Sequence, residues 1–314
     1  MTALAKILVV GGNGFIGSAI CRSALVAGLQ VTSVSSSGRP YMTPKGHSPA
    51  WTAKVDWQQG DALRPETFAH LLDGAGGVVH TLGVLLEDAA YKRAVRDGDM
   101  RGLLRALAGG GRNPLAQTAA DAPTYEAVNR DSALRVCAAF LASRAPADVG
   151  VRPFVYISAE DVFRPWVPAR YIETKRGAER GIDALLGSQG AQFRAVYLRP
   201  SLVYHPHTRP LTTPAAALLD VSSRVHARLP DALRARLRDA VEQLPRVSHE
   251  TPSAIASVAH ALLTPPMHVD QVGAAAVQAC VRGDVRGVVG VRQMRALIGW
   301  EEVESEIERR VVEN

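Results

Sequence analysis

Lys6-Ile-Leu-Val-Val-Gly-Gly-Asn-Gly-Phe-Ile-Gly17 decides the fold. Its first five residues are a short apolar run bounded by turn residues. A strand that is apolar at consecutive positions is buried on both faces, as in a parallel sheet covered by helices. The glycines follow at once, and a helical pattern runs from Phe15 to about Ala27, closed by Gly28. Strand, glycine turn and helix in that order form a phosphate-binding device. Gly11 allows the tight turn, Gly14 lets a pyrophosphate approach the backbone, and Gly17 permits close helix packing. The helix start then offers unpaired N–H groups and the positive end of its dipole to an anion. Gly11, Asn13, Gly14, Phe15, Ile16 and Gly17 are therefore expected to contact a dinucleotide.

Further strands are expected at Val31 to Ser35, Val55 to Gln58, Gly77 to Thr81, Phe154 to Ser158 and Phe193 to Leu198. Helical stretches lie between several of them. This alternation predicts an α/β fold, a doubly wound parallel sheet of the Rossmann type. Residues 1–200 would form the dinucleotide-binding domain. Residues 201–314 would form a small C-terminal region that completes the fold and covers the substrate side. Two stretches break the rhythm. Asp88 to Thr124 is a long insertion containing Gly109-Gly-Gly111. Around Pro230 a helix is expected, with Leu229, Leu233, Leu237, Val241 and Leu244 on one face and Arg228, Arg234, Arg236 and Arg238 largely on others. It reads either as a surface helix docked on the core or as a basic amphipathic helix meeting anionic lipid.

Composition narrows the field. The formal net charge is +6, and no nucleic-acid motif accompanies it, so nucleic acid is not an expected partner. Three cysteines, odd in number and far apart, argue against a disulfide framework and a zinc site, and no metal is expected. No apolar run is long enough to span a bilayer, and no Arg-rich presequence is visible before Lys6.

The end of the second strand chooses the cofactor. An acidic residue there would hold the ribose hydroxyls of NAD(H). Ser35-Ser36-Ser-Gly-Arg39 has no carboxylate, and Arg39 suits a ribose phosphate, so NADP(H) is favoured over NAD(H). Asp61, followed by Ala62, either accepts from the adenine amino group or caps a helix. Tyr171 and Lys175 stand one helical turn apart, after Pro165 and Pro168, in a helix expected from Ala169. A neighbouring ammonium favours a phenolate, and the Tyr can then exchange a proton while a hydride moves. Lys175 can also hold the nicotinamide ribose, and Ser158, at a strand end, can orient a substrate oxygen.

Gly11-x-x-Gly14-x-x-Gly17, Tyr171-x-x-x-Lys175 and Leu198-Arg-Pro200 together resemble the extended or atypical short-chain dehydrogenase/reductase superfamily over nearly the whole chain. The resemblance implies that Asn129, in Tyr125-x-x-x-Asn129, shapes the active site. It implies that Leu82 and Gly83, in His80-Thr-Leu-Gly83, pass the cofactor ribose, and that Pro200 lies near the nicotinamide. Val78 to Glu87, Tyr125 to Ala133, Phe154 to Glu160 and Arg170 to Arg176 are similar to a fungal mitochondrial group of short-chain dehydrogenase-like proteins associated with coenzyme Q (ubiquinone) biosynthesis. That group is itself similar to the NADPH-binding accessory subunit of respiratory complex I. This implies the matrix side of the inner membrane, a protein complex there, and a quinone or lipid ligand.

Three departures weigh against turnover. Ser158 is closer to Tyr171 in sequence than the matching pair of typical extended enzymes. Ala159 falls in the slot that usually holds a catalytic Ser or Thr. Glu160 and Asp161 place negative charge where it opposes a phenolate. Two functions therefore stand side by side. One is an NADP(H)-dependent oxidoreductase of a prenylated quinone precursor, with Tyr171, Lys175, Ser158 and Asn129 as its catalytic set. The other is a non-catalytic NADP(H)- and lipid-binding subunit. A nucleotide-sugar epimerase is a third, disfavoured because the substrate-side residues lack that pattern.

Overall fold

The computed structural model describes residues 4–83, 124–147, 150–162, 164, 167–187, 192–208, 213–244, 246–248 and 251–300. Apart from Thr124, the insertion expected at Asp88 to Thr124 lies outside the described residues.

The apolar run at the N-terminus forms β1, Lys6–Val10. Side chains alternate across a strand. Ile7 and Val9 therefore enter one core and Leu8 and Val10 the other. The same alternation holds in β5, Arg152–Ile157, which sends Val155 and Ile157 one way and Phe154 and Tyr156 the other. Both faces are covered, which is why these strands carry no polar alternation.

The main sheet also contains β2 (Gln30–Ser35), β3 (Asp56–Gln59), β4 (Gly77–His80), β6 (Phe193–Leu198) and β11 (Gly287–Val289). Its order is β11-β6-β5-β4-β1-β2-β3, and every pairing is parallel. The doubly wound sheet expected from the sequence is thus present, with one addition. The edge strand β11 was not anticipated, because three residues in Gly287-Val-Val289 give no period to read. Through β11 the C-terminal stretch returns to the Rossmann sheet.

Helix α1, Phe15–Val26, and helix α8, Val269–Val281, cover one face. They pack so closely that a Cβ on Gly273 would lie 2.7 Å from the Ala19 carbonyl oxygen. Helices α3, Ser132–Ala142, and α4, Ala169–Leu186, cover the other face. A short helix α2, Ala69–Leu72, precedes β4. Buried Arg152 joins this layer together. Its guanidinium donates to the carbonyls of Leu72, Ala75 and Ser143 and stacks 4.0 Å from the Phe140 ring centroid.

After β6 the chain builds a smaller cap. It holds β7 (Val203–Tyr204), α5 (Thr213–Ala227), α6 (Asp231–Glu242), β8 (Arg246–Ser248), β9 (Thr251–Pro252), α7 (Ala254–Leu263) and β10 (Met267–His268). β7 pairs with β10 in parallel, and β8 with β9 antiparallel. A last helix, α9, Val291–Leu297, follows β11.

Candidate functional site

Strand order reverses between β1 and β4, which opens a crevice at their C-terminal ends. The glycine loop fills one wall. Gly11 adopts φ 85, and its N–H donates to the Val34 carbonyl at 2.7 Å. Gly14 N–H returns to the Gly11 carbonyl at 3.0 Å. A Cβ on Gly17 would sit 2.1 Å from the Gly11 oxygen, so its absence lets α1 close onto the loop itself. Gly12 is equally constrained, since its Cβ would lie 2.3 Å from Ser33 Oγ. Sequence spacing missed Gly12 because the conflict lies with the neighbouring strand. Gly14 forms the N-cap of α1 and no side chain caps the helix, leaving that end open to an anion.

The cleft has a volume of about 480 Å³. Among the expected cofactor residues, Gly11, Asn13, Gly14, Phe15, Ile16, Gly17, Ser35, Ser36, Asp61, Ala62, Leu82 and Gly83 line it. Thr81, inside the His80-Thr-Leu-Gly83 turn, lines it too, as do Val34, Gly60, Leu63, Val128 and Ser132, to which the sequence assigns no site role. Arg39, Tyr171, Lys175 and Pro200 are not among the lining residues.

At the end of the cleft beside β2, Asn13 ties the glycine loop to the turn after that strand. Its amide donates to Ser37 Oγ at 3.1 Å and to the Arg39 carbonyl at 3.2 Å. Gly38, at φ 62, presses that turn against Gln59. Arg39 is exposed beside it. The Asp61 carboxylate accepts from Leu63 N–H and from Arg64 Nε, both at 2.9 Å, and these bonds hold it below the usual carboxylate range. It caps a turn while lining the cleft. The helix N-cap expected of it does not form, because the following 3₁₀ turn, Pro65–Thr67, starts from Arg64.

At the opposite end the sheet and α4 bring three residues together. Pro168 is the N-cap of α4, as the proline spacing predicts, while Pro165 lies outside the described residues. A Cβ on Gly83 would lie 2.8 Å from Lys175 Nζ and 3.3 Å from Asn129 Oδ1. Lys175 Nζ donates to the Leu82 carbonyl at 3.0 Å and the Ile157 carbonyl at 2.9 Å, and sits 6.0 Å from the Tyr171 ring centroid. Burial pushes its pKa down to about 7, opposed by the Glu179 carboxylate. Asn129 is buried in a π-helical turn, Glu126–Asp131, a distortion that accompanies many functional sites. Its amide donates to Thr174 Oγ1 at 3.3 Å, and its carbonyl accepts from Tyr156 at 2.5 Å. Tyr156 reads from sequence only as a strand residue, yet it holds this turn and lies under Lys175, 4.6 Å from ring centroid to Nζ. Outside the turn, Arg170 binds Glu126 with two hydrogen bonds, at 2.9 and 2.7 Å, fastening the first turn of α4.

Ser158 lies elsewhere in the network. Its hydroxyl donates to Glu179 Oε1 at 2.5 Å and accepts from Arg176 at 3.1 Å. Glu179 also receives Arg176 and both hydrogen-bonding arms of Arg199. Arg176 binds the Ala159 carbonyl at 2.9 Å. This buried knot joins the ends of β5 and β6 to α4. The negative charge expected around residues 160 and 161 is offset. Asp161 is paired with Arg164 through two bonds, at 2.7 and 2.9 Å, and Arg176 lies close to both acids.

The parallel sheet, the switch-point cleft and the open α1 terminus define a dinucleotide-binding protein of the Rossmann type. A family model described as the NAD dependent epimerase/dehydratase family matches residues 7–237, and the chain belongs to that family. It is 34% identical over 211 residues to "MIOREX complex component 2" of Saccharomyces cerevisiae, covering 64% of this chain and 74% of that protein. It is 25% identical over 293 residues to an uncharacterised chloroplastic protein of Arabidopsis thaliana, covering 92% and 76%. Among solved structures, 3-oxoacyl-[acyl-carrier protein] reductase from Brucella melitensis in complex with NAD has a TM-score of 0.57 at 15% identity, covering 95% of this chain and 99% of that one. MoeE5 in complex with UDP-glucuronic acid and NAD has a TM-score of 0.51 at 18% identity, covering 91% and 76%. These structural likenesses concern the fold alone.

Proposed function

We propose that this chain binds NADP(H) across the cleft and serves as a cofactor-dependent structural or sensing subunit of a mitochondrial assembly, with little turnover of its own. The observation that carries this reading is the engagement of Ser158. Its hydroxyl is bound to Glu179 and Arg176, and Ala159 offers no hydroxyl in its place. Bound nicotinamide dinucleotide supplies or accepts a hydride. The groups that would exchange the matching proton lack the orienting serine.

The residues present fit the cofactor. The uncapped α1 terminus and Gly14 suit a pyrophosphate. Lys175, beside Gly83, suits a ribose hydroxyl. Ser35, Ser36 and Arg39 present no carboxylate to repel a ribose phosphate, and Asp61 is already bound to Arg64. This supports NADP(H) over NAD(H). Membership of an assembly is favoured by the yeast relative, named as a component of the MIOREX complex. The matrix side of the inner membrane and the link to ubiquinone biosynthesis rest on the resemblance set out above.

The retained Tyr171–Lys175 pair favours a second reading, reduction or oxidation of a prenylated quinone precursor. Tyr171→Phe separates the two. In cells that depend on this protein, the variant is expected to support normal growth, whereas Gly14→Asp, which puts a carboxylate in the phosphate path, abolishes it. Loss of growth in Tyr171→Phe with NADPH binding intact, together with Tyr171-dependent NADPH oxidation by a short-chain quinone, would establish the enzyme instead.

A further inference from the structure

The helices of the C-terminal cap leave apolar side chains in solvent in an ordered way. On α5, Leu218, Val221 and Val225 are 68%, 59% and 58% exposed. At spacings of three and four they share one helical face. On α7, Ile255 and Leu262 are 71% and 41% exposed and also share a face. Ser222 Oγ donates to the Leu262 carbonyl at 2.9 Å, which sets the two helices side by side. α6 follows α5 directly, and its Leu233 and Leu237 remain 43% and 38% exposed. This is more apolar surface than isolated surface residues require.

Charge is segregated around these stripes. Arg224 and Arg228 fall along the border of the α5 stripe on the helical repeat, with Arg224 ion-paired to Asp220 on the side away from it. Arg236 is exposed next to Leu233 and Leu237, while exposed Asp239 falls on the opposite side of the helical repeat. Cations bordering an apolar stripe, with acids behind, match a surface of acyl chains beneath anionic phosphates, where Arg stems lie along the apolar surface and their heads reach the phosphates. A second copy would bring Arg against Arg. Among the described residues no helix is long and apolar enough to cross a membrane, so these helices would lie in the interface.

We infer that the exposed face of α5 and α7, with α6 beside it, docks the protein on an anionic lipid surface. This inference is independent of the dinucleotide reading. The test is co-sedimentation of the full chain with vesicles of phosphatidylcholine, with and without cardiolipin. Binding is expected only with cardiolipin and should weaken as salt rises. Val221→Asp with Val225→Asp should lower it about tenfold, and Arg236→Glu about fivefold, with the thermal midpoint and dinucleotide binding unchanged. Absence of binding to either vesicle, or binding indifferent to Val221→Asp with Val225→Asp, would overturn the inference. So would a self-association in sedimentation velocity that the same pair of changes abolishes, since that would assign the face to a second copy.

Discussion

Gly17→Ala is expected to weaken NADPH binding about 100-fold, the equivalent of about two lost charge-assisted hydrogen bonds to phosphate. The added methyl would lie 2.1 Å from the Gly11 carbonyl oxygen and 2.8 Å from Gly12 Cα. These are backbone atoms and cannot swing aside. The loop must therefore move relative to α1. Its anchors, Gly11 N–H to Val34 and Gly14 N–H to Gly11, are strained together. Moving the loop displaces the N–H groups that would face the phosphates, so affinity falls together with stability. The stability loss should stay within about 1–3 kcal/mol, the range for an overpacked methyl. Gly150→Ala, where among the described residues no atom beyond the chain neighbours lies within 4 Å of the new Cβ, provides the control and should change neither quantity. Calorimetric titration with NADPH and urea unfolding of both variants check the pair of outcomes. Wild-type affinity in Gly17→Ala would remove the loop from the site.

Lys175 sets the second large effect. Its ammonium has an ordinary pKa of 10.5 and is held at about 7 in the folded chain by burial. Between those values the unfolded chain binds one more proton than the folded one, so raising the pH favours folding. The stabilisation is complete above pH 10.5 and is lost as pH falls toward 7. Over that span the linkage amounts to about 5 kcal/mol. The buried thiols of Cys21, Cys137 and Cys280, each raised to about 12, act in the opposite sense once pH passes 9. The informative window is therefore pH 7 to 8.5. Urea midpoints should show the wild type gaining between about 1 and 2 kcal/mol relative to Lys175→Met across it. Parallel pH curves for the two proteins would mean that Lys175 keeps its charge in the folded state.

The legible parts of the molecule were those written in local patterns. The apolar run at Lys6–Val10 and the glycines after it announce a strand buried on both faces and an open helix start, and neither depends on distant residues. Tyr171 and Lys175 announce themselves by helical spacing. The rest depends on partners far apart in sequence. Ser158 looks available until Glu179, Arg176 and Arg199 are placed around it. Tyr156 looks like any strand residue until its hydroxyl reaches the Asn129 carbonyl. β11 is too short to show a period and exists because β6 offers an edge. The apolar face expected on the helix after Pro230 is visible in the sequence, but its exposure is a property of the packed cap.

The preference proposed for the cleft between β1 and β4 is for NADP(H) over NAD(H). A thermal-shift and calorimetric comparison of the full chain with NADPH and NADH tests it most directly. A saturable rise in melting temperature is expected with NADPH, a smaller one with NADH, and loss of the difference in Arg39→Ala. Equal or tighter binding of NADH would contradict the selectivity, and no response to either nucleotide would contradict the site itself.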